Sequence, residues 1–271
     1  LGQSLGLNGN GLYLERESLL DWSYKETQLN GLLVGLEPST GKRTAKIHIV
    51  GATEAEAEAR FNALADHIAA DLARSQLGRL YIGEWYLPCV FKASEKQYYK
   101  DRTVITQSYS LHSDDPRWVR EKTWGFTSAE KDGDGLDMGF DYPHDYGAPW
   151  YSGRIVNSCP YPCQARITVE GPAEKWSIRI GSNVYQCDKT LLENEFLTMD
   201  GLDETITFVS ALGNCEDASS SRMGVYADGS GSFVFEPVPA GSSPVYWDNC
   251  KAVEVTVYEK KDERPMGEAV T

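Results

Sequence analysis

The chain has 271 residues, with 40 acidic side chains against 26 basic ones and a formal net charge of −14. This length exceeds one ordinary domain and suits two, each able to bury its own core. The charge excludes an ordinary nucleic-acid binder, which needs Lys and Arg against phosphate. No apolar run is long enough to cross a bilayer and no basic-then-apolar leader opens the sequence, so no membrane insertion is expected.

Taken in chain order, the first informative stretch is DWSYKETQLNGLLVGLEPSTGKR, beginning at Asp21. It is too apolar for a loop, since it carries Trp22, Tyr24, Leu29, Leu32, Leu33 and Leu36. Two readings stand: an irregular edge hairpin packed on its own domain, or an arm packed on a neighbouring subunit. RTAKIHIV follows and alternates, with Ala45, Ile47 and Ile49 on one strand face. A helix is predicted over 53–77. Thr53 and Glu56 form a capping box, and Phe61, Leu64, Ala65, Ile68 and Leu72 form an apolar stripe ended by Gly78. RLYIGEWYLPCVF reads as two strands around Gly83. TVITQSYSLH alternates again, with Ile105, Tyr109 and Leu111 on one face. One helix among strands predicts an α+β unit over residues 1–120.

Residues 127–153 are dense in Gly, Asp, Pro and Tyr and read as loop or linker. Beyond them QARITVEG, KWSIRIGS, EFLTMDGLDETITFV, GSFVFEPV and AVEVTVYE all read as strands, with a turn at Asp200-Gly201. The second domain, over 121–271, is therefore expected to be all β and a sandwich. The fold class is mainly β.

The candidate chemical sites fail one by one. In SLHSDDPRW, His112, Asp114, Asp115 and Arg117 are brought together by the chain itself, and the proline imposes a turn or extended backbone before it. KDGDGLDMGFD places Leu136 and Asp137 where a calcium loop needs an oxygen ligand and glycine. CPYPC has three residues between Cys159 and Cys163 and precedes a strand, unlike a dithiol active site at a helix N-terminus. The four histidines, His48, His67, His112 and His144, make no metal-binding pair. No catalytic, metal or cofactor site is expected. Two alternatives remain: a saccharide-binding sandwich using Trp118, Trp124, Trp150, Trp176 and Trp247, of which Trp176 reads as core, and a glycoside hydrolase built on two carboxylates.

The order of features is more specific than any single motif. GRLYIGEWYLPCVFKAS, the DDPRW junction, GFDYPHDYG, NSCPYPCQARITVEGP, IRIG, FLTMDGLDETIT, FEPVPAGSSPVYW and VEVTVYEKKDERP follow one another over roughly residues 45–262. This succession resembles the distal tail proteins (Dit) of long-tailed siphophages, with Arg117 in place of the usual aromatic residue. The resemblance implies a non-enzymatic structural hub at the virion tail tip, assembled in the bacterial host cytoplasm. There the N-terminal domain closes a hexameric ring and the C-terminal domain is a galectin-like β-sandwich. It implies contacts with the tail tube protein, the tail-associated protein and receptor-binding proteins. DNA would pass through the lumen without specific binding. Trp22, Tyr24, Leu29, Leu32 and Leu33 would then lie at the subunit interface, and the six cysteines would be reduced thiols.

Overall fold

The computed structural model describes residues 5–7, 9–39, 43–74, 77–100, 102–128, 151–224 and 232–265. KDGDGLDMGFD, GFDYPHDYG, His144 and Trp150 lie outside the described residues. The chain divides into two compact units, residues 1–120 with 260–271, and residues 121–259. It is mainly β, with one α-helix among the described residues.

The first unit begins with β1 (Leu12–Leu14), the hairpin strands β2 (Tyr24–Leu29) and β3 (Leu32–Pro38), and β4 (Arg43–Val50). The helix α1 (Glu54–Arg74) follows, then β5 (Gly78–Ile82), β6 (Trp85–Lys100), β7 (Val104–His112) and β8 (Trp118–Thr127), whose first residues belong to this unit. An antiparallel sheet runs β1-β4-β7-β6, and β5 and the start of β8 also pair with β6. β4 buries Ala45, Ile47 and Ile49 as its alternation requires, and β7 buries Ile105, Tyr109 and Leu111 on the matching face.

The helix covers this core with a narrower stripe than its sequence suggests. Ala57 and Leu64 are buried, and Phe61 and Ile68 pack at the margin. Ala65 and Leu72 are exposed. The entry to the helix is tight, since a Cβ on Gly51 would lie 2.4 Å from the backbone nitrogen of Ala57. The predicted cap is present: the Glu56 amide donates to Thr53 Oγ1 at 3.3 Å, and the Ala52 amide donates to Glu56 Oε2 at 2.7 Å.

In the second unit the strands are β9 (Tyr151–Asn157), β10 (Ala165–Ile180), β11 (Asn183–Tyr185), β12 (Phe196–Asp200), β13 (Thr205–Val209), β14 (Cys215–Asp217) and β15 (Gly241–Lys261), whose last two residues belong to the first unit. β15 runs antiparallel to β10 along most of its length, and the order continues β10-β12-β13-β14. Register shifts between Glu170 and Ser177 break the long pair into two halves. One core takes residues from both, including Ile167 and Val169 from the first and Trp176, Ile178 and Ile180 from the second.

GSFVFEPV is not a strand. Val234, Phe235 and Val238 are buried. Its backbone instead turns at Phe233–Glu236 and makes a single bridge, Val238 to Cys163. Pro237 and Pro239 supply no N–H, so a continuous ladder is impossible here.

Five of the six cysteines are buried, and Cys215 is exposed. Burial pushes the Cys89 thiol up to about 12, with the charge of Asp71 adding to it. Burial likewise pushes Cys187 up to about 11 and Cys250 to about 12. The thiolate is the reactive form. Brief alkylation of the native protein is therefore expected to add one adduct, on Cys215, with the other five labelled only after unfolding. Two or more fast adducts in the intact mass would contradict this burial pattern.

Candidate interaction surface

The hairpin β2–β3 forms a separate two-stranded sheet. Its turn is Asn30-Gly31, with φ of 52° and 76°, the left-handed pair that a two-residue hairpin turn requires. Leu29 faces Leu32 across the turn, Gln28 faces Leu33 and Glu26 faces Leu36. Neither face is covered by the described residues: Leu29, Leu32 and Leu33 are 65%, 72% and 57% exposed, and Val34 and Leu36 are also exposed. The segment is a hairpin, as one of the two readings had it, but its tip is not packed on its own domain. A two-stranded hairpin is marginal in water by itself, and a tip of five apolar side chains is a surface built to be covered.

Trp22 and Tyr24 are not at this tip. They sit at the root, edge to face at 5.8 Å. The Tyr24 hydroxyl donates to Asp262 Oδ1 at 2.8 Å. Beside them lies a cavity of about 130 Å³, lined by Asp21, Ser23, Pro38, Arg43, Pro116 and Asp262. Arg43 is buried and donates through Nη2 to the Asp262 carbonyl at 3.0 Å and through Nη1 to the Leu19 carbonyl at 3.4 Å. Burial lowers its pKa, against the pull of the Asp262 and Asp21 carboxylates. The root is thus held by the chain's own C-terminal segment, and the tip is free. Sequence reasoning found the five residues as one group; the structure separates them into anchor and tip and adds Val34.

SLHSDDPRW forms a structural knot. Arg117 forks onto Asp115, with Nε to Oδ1 at 2.8 Å and Nη2 to Oδ2 at 2.7 Å, and Lys260 Nζ reaches Asp115 Oδ2 at 2.8 Å. The Ser113 hydroxyl lies near both the Asp115 and Pro88 carbonyls. His112 Nε2 is 3.2 Å from Asp114 Oδ1, both well exposed. Burial works to raise the pKa of Asp115, but the hydrogen bonds and charges of Arg117 and Lys260 prevail and bring it down to about 2.

A folded-state pKa below the ordinary 3.8 means stability that is present above that pH and lost as pH falls through about 2. Asp115→Asn is expected to cost about 1–2 kcal/mol near neutral pH, after discounting for partial exposure. The gap between wild type and variant should close between pH 4 and 2, as read by urea unfolding at stepped pH. A gap that stays constant down to pH 2 would contradict the ion-pair account.

The remaining carboxylates of interest are also committed to structure. Glu259 is buried and accepts from Lys122 Nζ at 3.0 Å and from the Ser158 amide at 2.8 Å. Asp248 Oδ1 accepts from the amide and hydroxyl of Ser177, and Asp200 Oδ2 accepts from the Tyr258 hydroxyl. Trp118, Trp176 and Trp247 are buried and offer no face to a sugar, and Trp124 is partly buried against the core. His48 Nδ1 lies 3.0 Å from Thr106 Oγ1 on the outer side of β4. Among the described residues no cluster of His, Cys, Asp and Glu could hold a metal ion, and no helix is long and apolar enough to cross a membrane.

These two units, a sheet-and-helix body bearing a hairpin and an all-β body, recur together in solved phage tail-tip structures. The chain is similar in structure to the crystal structure of SPP1 Dit, described as a hub adsorption apparatus of phages infecting Gram-positive hosts. That match covers 92% of this chain and 91% of the other, with a TM-score of 0.54 at 10% identity. It is also similar to a chain of the phage P2 baseplate in its activated conformation with Ca, over 95% and 93% of the two chains, with a TM-score of 0.57 at 11% identity. The same baseplate with Sr matches over the same shares, with a TM-score of 0.56 at 12% identity. No family profile matches the sequence, and no curated protein matches it either. The likeness lies in the fold, with nearly the whole chain taking part on both sides.

Proposed function

We propose that this chain is the hub subunit of a phage tail tip, a non-enzymatic structural protein that forms a hexameric ring. In this reading the first unit closes the ring and the second is a galectin-like sandwich. The ring joins the tail tube protein to the tail-associated protein and carries receptor-binding proteins. The observation that carries the proposal is the fold match over nine-tenths or more of both chains to SPP1 Dit and the P2 baseplate. The independent run of sequence motifs from residue 45 to 262 supports it.

The free hairpin gives each subunit one patch to place on a different patch of its neighbour, and cyclic closure satisfies such contacts without making filaments. Leu29, Leu32 and Leu33 are the contacting residues at its tip, with Trp22 and Tyr24 fixing its root. The net charge of −14 suits a lumen through which DNA moves without adhering, because carboxylates repel phosphates over about one Debye length, roughly 8 Å. Assembly in the host cytoplasm agrees with thiols that remain reduced.

Antibody against the purified chain should label the tail tip of intact particles and nothing else on them. Label along the tail shaft or on the capsid would reject the hub reading.

A further inference from the structure

The second unit ends in an exposed sheet edge that this reading does not use. The strand order stops at β14, whose outer edge pairs with no described strand, and Cys215, Glu216 and Asp217 are all exposed. Phe196, Val209 and Cys215 lie opposite one another across β12, β13 and β14 and share one outer face. Beyond them a turn closed by Gly213 N to the Ser210 carbonyl, at 2.8 Å, presents Leu212 at 89% exposure. A turn tip needs no leucine for its own geometry, and polar residues are the usual occupants. The apolar row is bordered by Glu216 and Asp217 on the edge strand and by exposed Glu193 near the start of β12.

We propose that the β14 edge and this apolar row dock an extended segment of another protein, in which apolar residues alternate with Lys or Arg. A strand added to an open edge makes main-chain hydrogen bonds, and its alternate side chains fall on the two faces of the sheet. On the outer face they meet the row of Phe196, Val209 and Cys215 and the neighbouring Leu212. On the other they meet Glu216. The acidic border decides the occupant: a second copy would bring Glu216 and Asp217 against themselves, and like charges facing across strands are destabilising. A basic partner gains where a second copy loses. This assignment stands on the second unit alone and does not depend on the ring.

Cys215 reports on the site because it is the exposed thiol among six. The test is its alkylation rate in the full chain with a blocked heptapeptide alternating lysine and valine. Two controls are a peptide alternating glutamate and valine, and one with the lysines and valines in separate blocks. At about nine-tenths occupancy the lysine–valine peptide should slow alkylation roughly tenfold, and neither control should do so. Glu216→Lys, on an exposed side chain, should remove most of that protection and transfer it to the glutamate–valine peptide. Three results would overturn the proposal. One is no slowing by the alternating lysine peptide. Another is equal slowing by the block peptide, which marks attraction to overall charge only. The third is slowing that grows with protein concentration without peptide, which makes a second copy the occupant.

Discussion

Ending the chain after Glu259 should strip hydrogen-exchange protection from the amides of β4 and β7 while those of β10 and β12 keep theirs. The removed residues carry much of the first unit's closure. Lys260 supplies one of the two cations on Asp115. Lys261 places Nζ 4.0 Å from the centre of the buried Trp85 ring, where Arg120 also stacks at 4.6 Å. Asp262 holds the Tyr24 hydroxyl and the Arg43 guanidinium. Arg264 Nη1 reaches the carbonyls of Arg16 and Ser18 at 2.6 and 2.9 Å. Leaving Arg43 buried without a main acceptor costs about 1–3 kcal/mol, and losing the Lys260 bridge and the Trp85 contact adds about 1 kcal/mol each. The truncated first unit should melt roughly 10 °C lower or more. If β4 and β7 keep full protection, the C-terminal return is only decoration.

Leu32→Asp with Leu33→Asp should abolish the ring and leave both units folded. Each leucine is more than half exposed in the single chain, so its replacement changes subunit stability by no more than about 0.5 kcal/mol. In an assembled ring each would forfeit about 1.5–3 kcal/mol of burial and place a carboxylate in an apolar contact. Repeated at every interface of a closed ring, that loss moves the equilibrium to free subunits. Tyr24→Phe should act more weakly, because it frees the root of the arm without altering its tip. Circular dichroism and sedimentation velocity on the same samples separate folding from assembly. Rings that persist with both leucines replaced would assign the hairpin to some other contact.

The contrast between these two regions explains what the sequence makes legible. β4 and β7 could be read residue by residue, because one face is buried and the other wet, and alternation records that directly. The helix was legible from its cap, but the width of its buried stripe depends on how the helix crosses the sheet, so Ala65 and Leu72 came out exposed. The hairpin was legible only as one of two readings, because both of its faces are open and leave no alternation, although Asn30-Gly31 between two leucines is a strong hairpin signal. GSFVFEPV misled by burying its apolar residues without a ladder. The return of residues 260–265 to the first unit, and the pairing of Lys260 with Asp115, are closures between distant parts of the chain that no local pattern encodes. Arg117, which appears as a departure from the resembling motif, is the residue that forks onto Asp115.

Closure of the proposed ring is read by sedimentation equilibrium of the purified full chain. The expected result is a discrete species of six times the chain mass in exchange with monomer, and monomer alone for Leu32→Asp with Leu33→Asp. A single monomeric mass up to the highest soluble concentration, identical for wild type and variant, would contradict it.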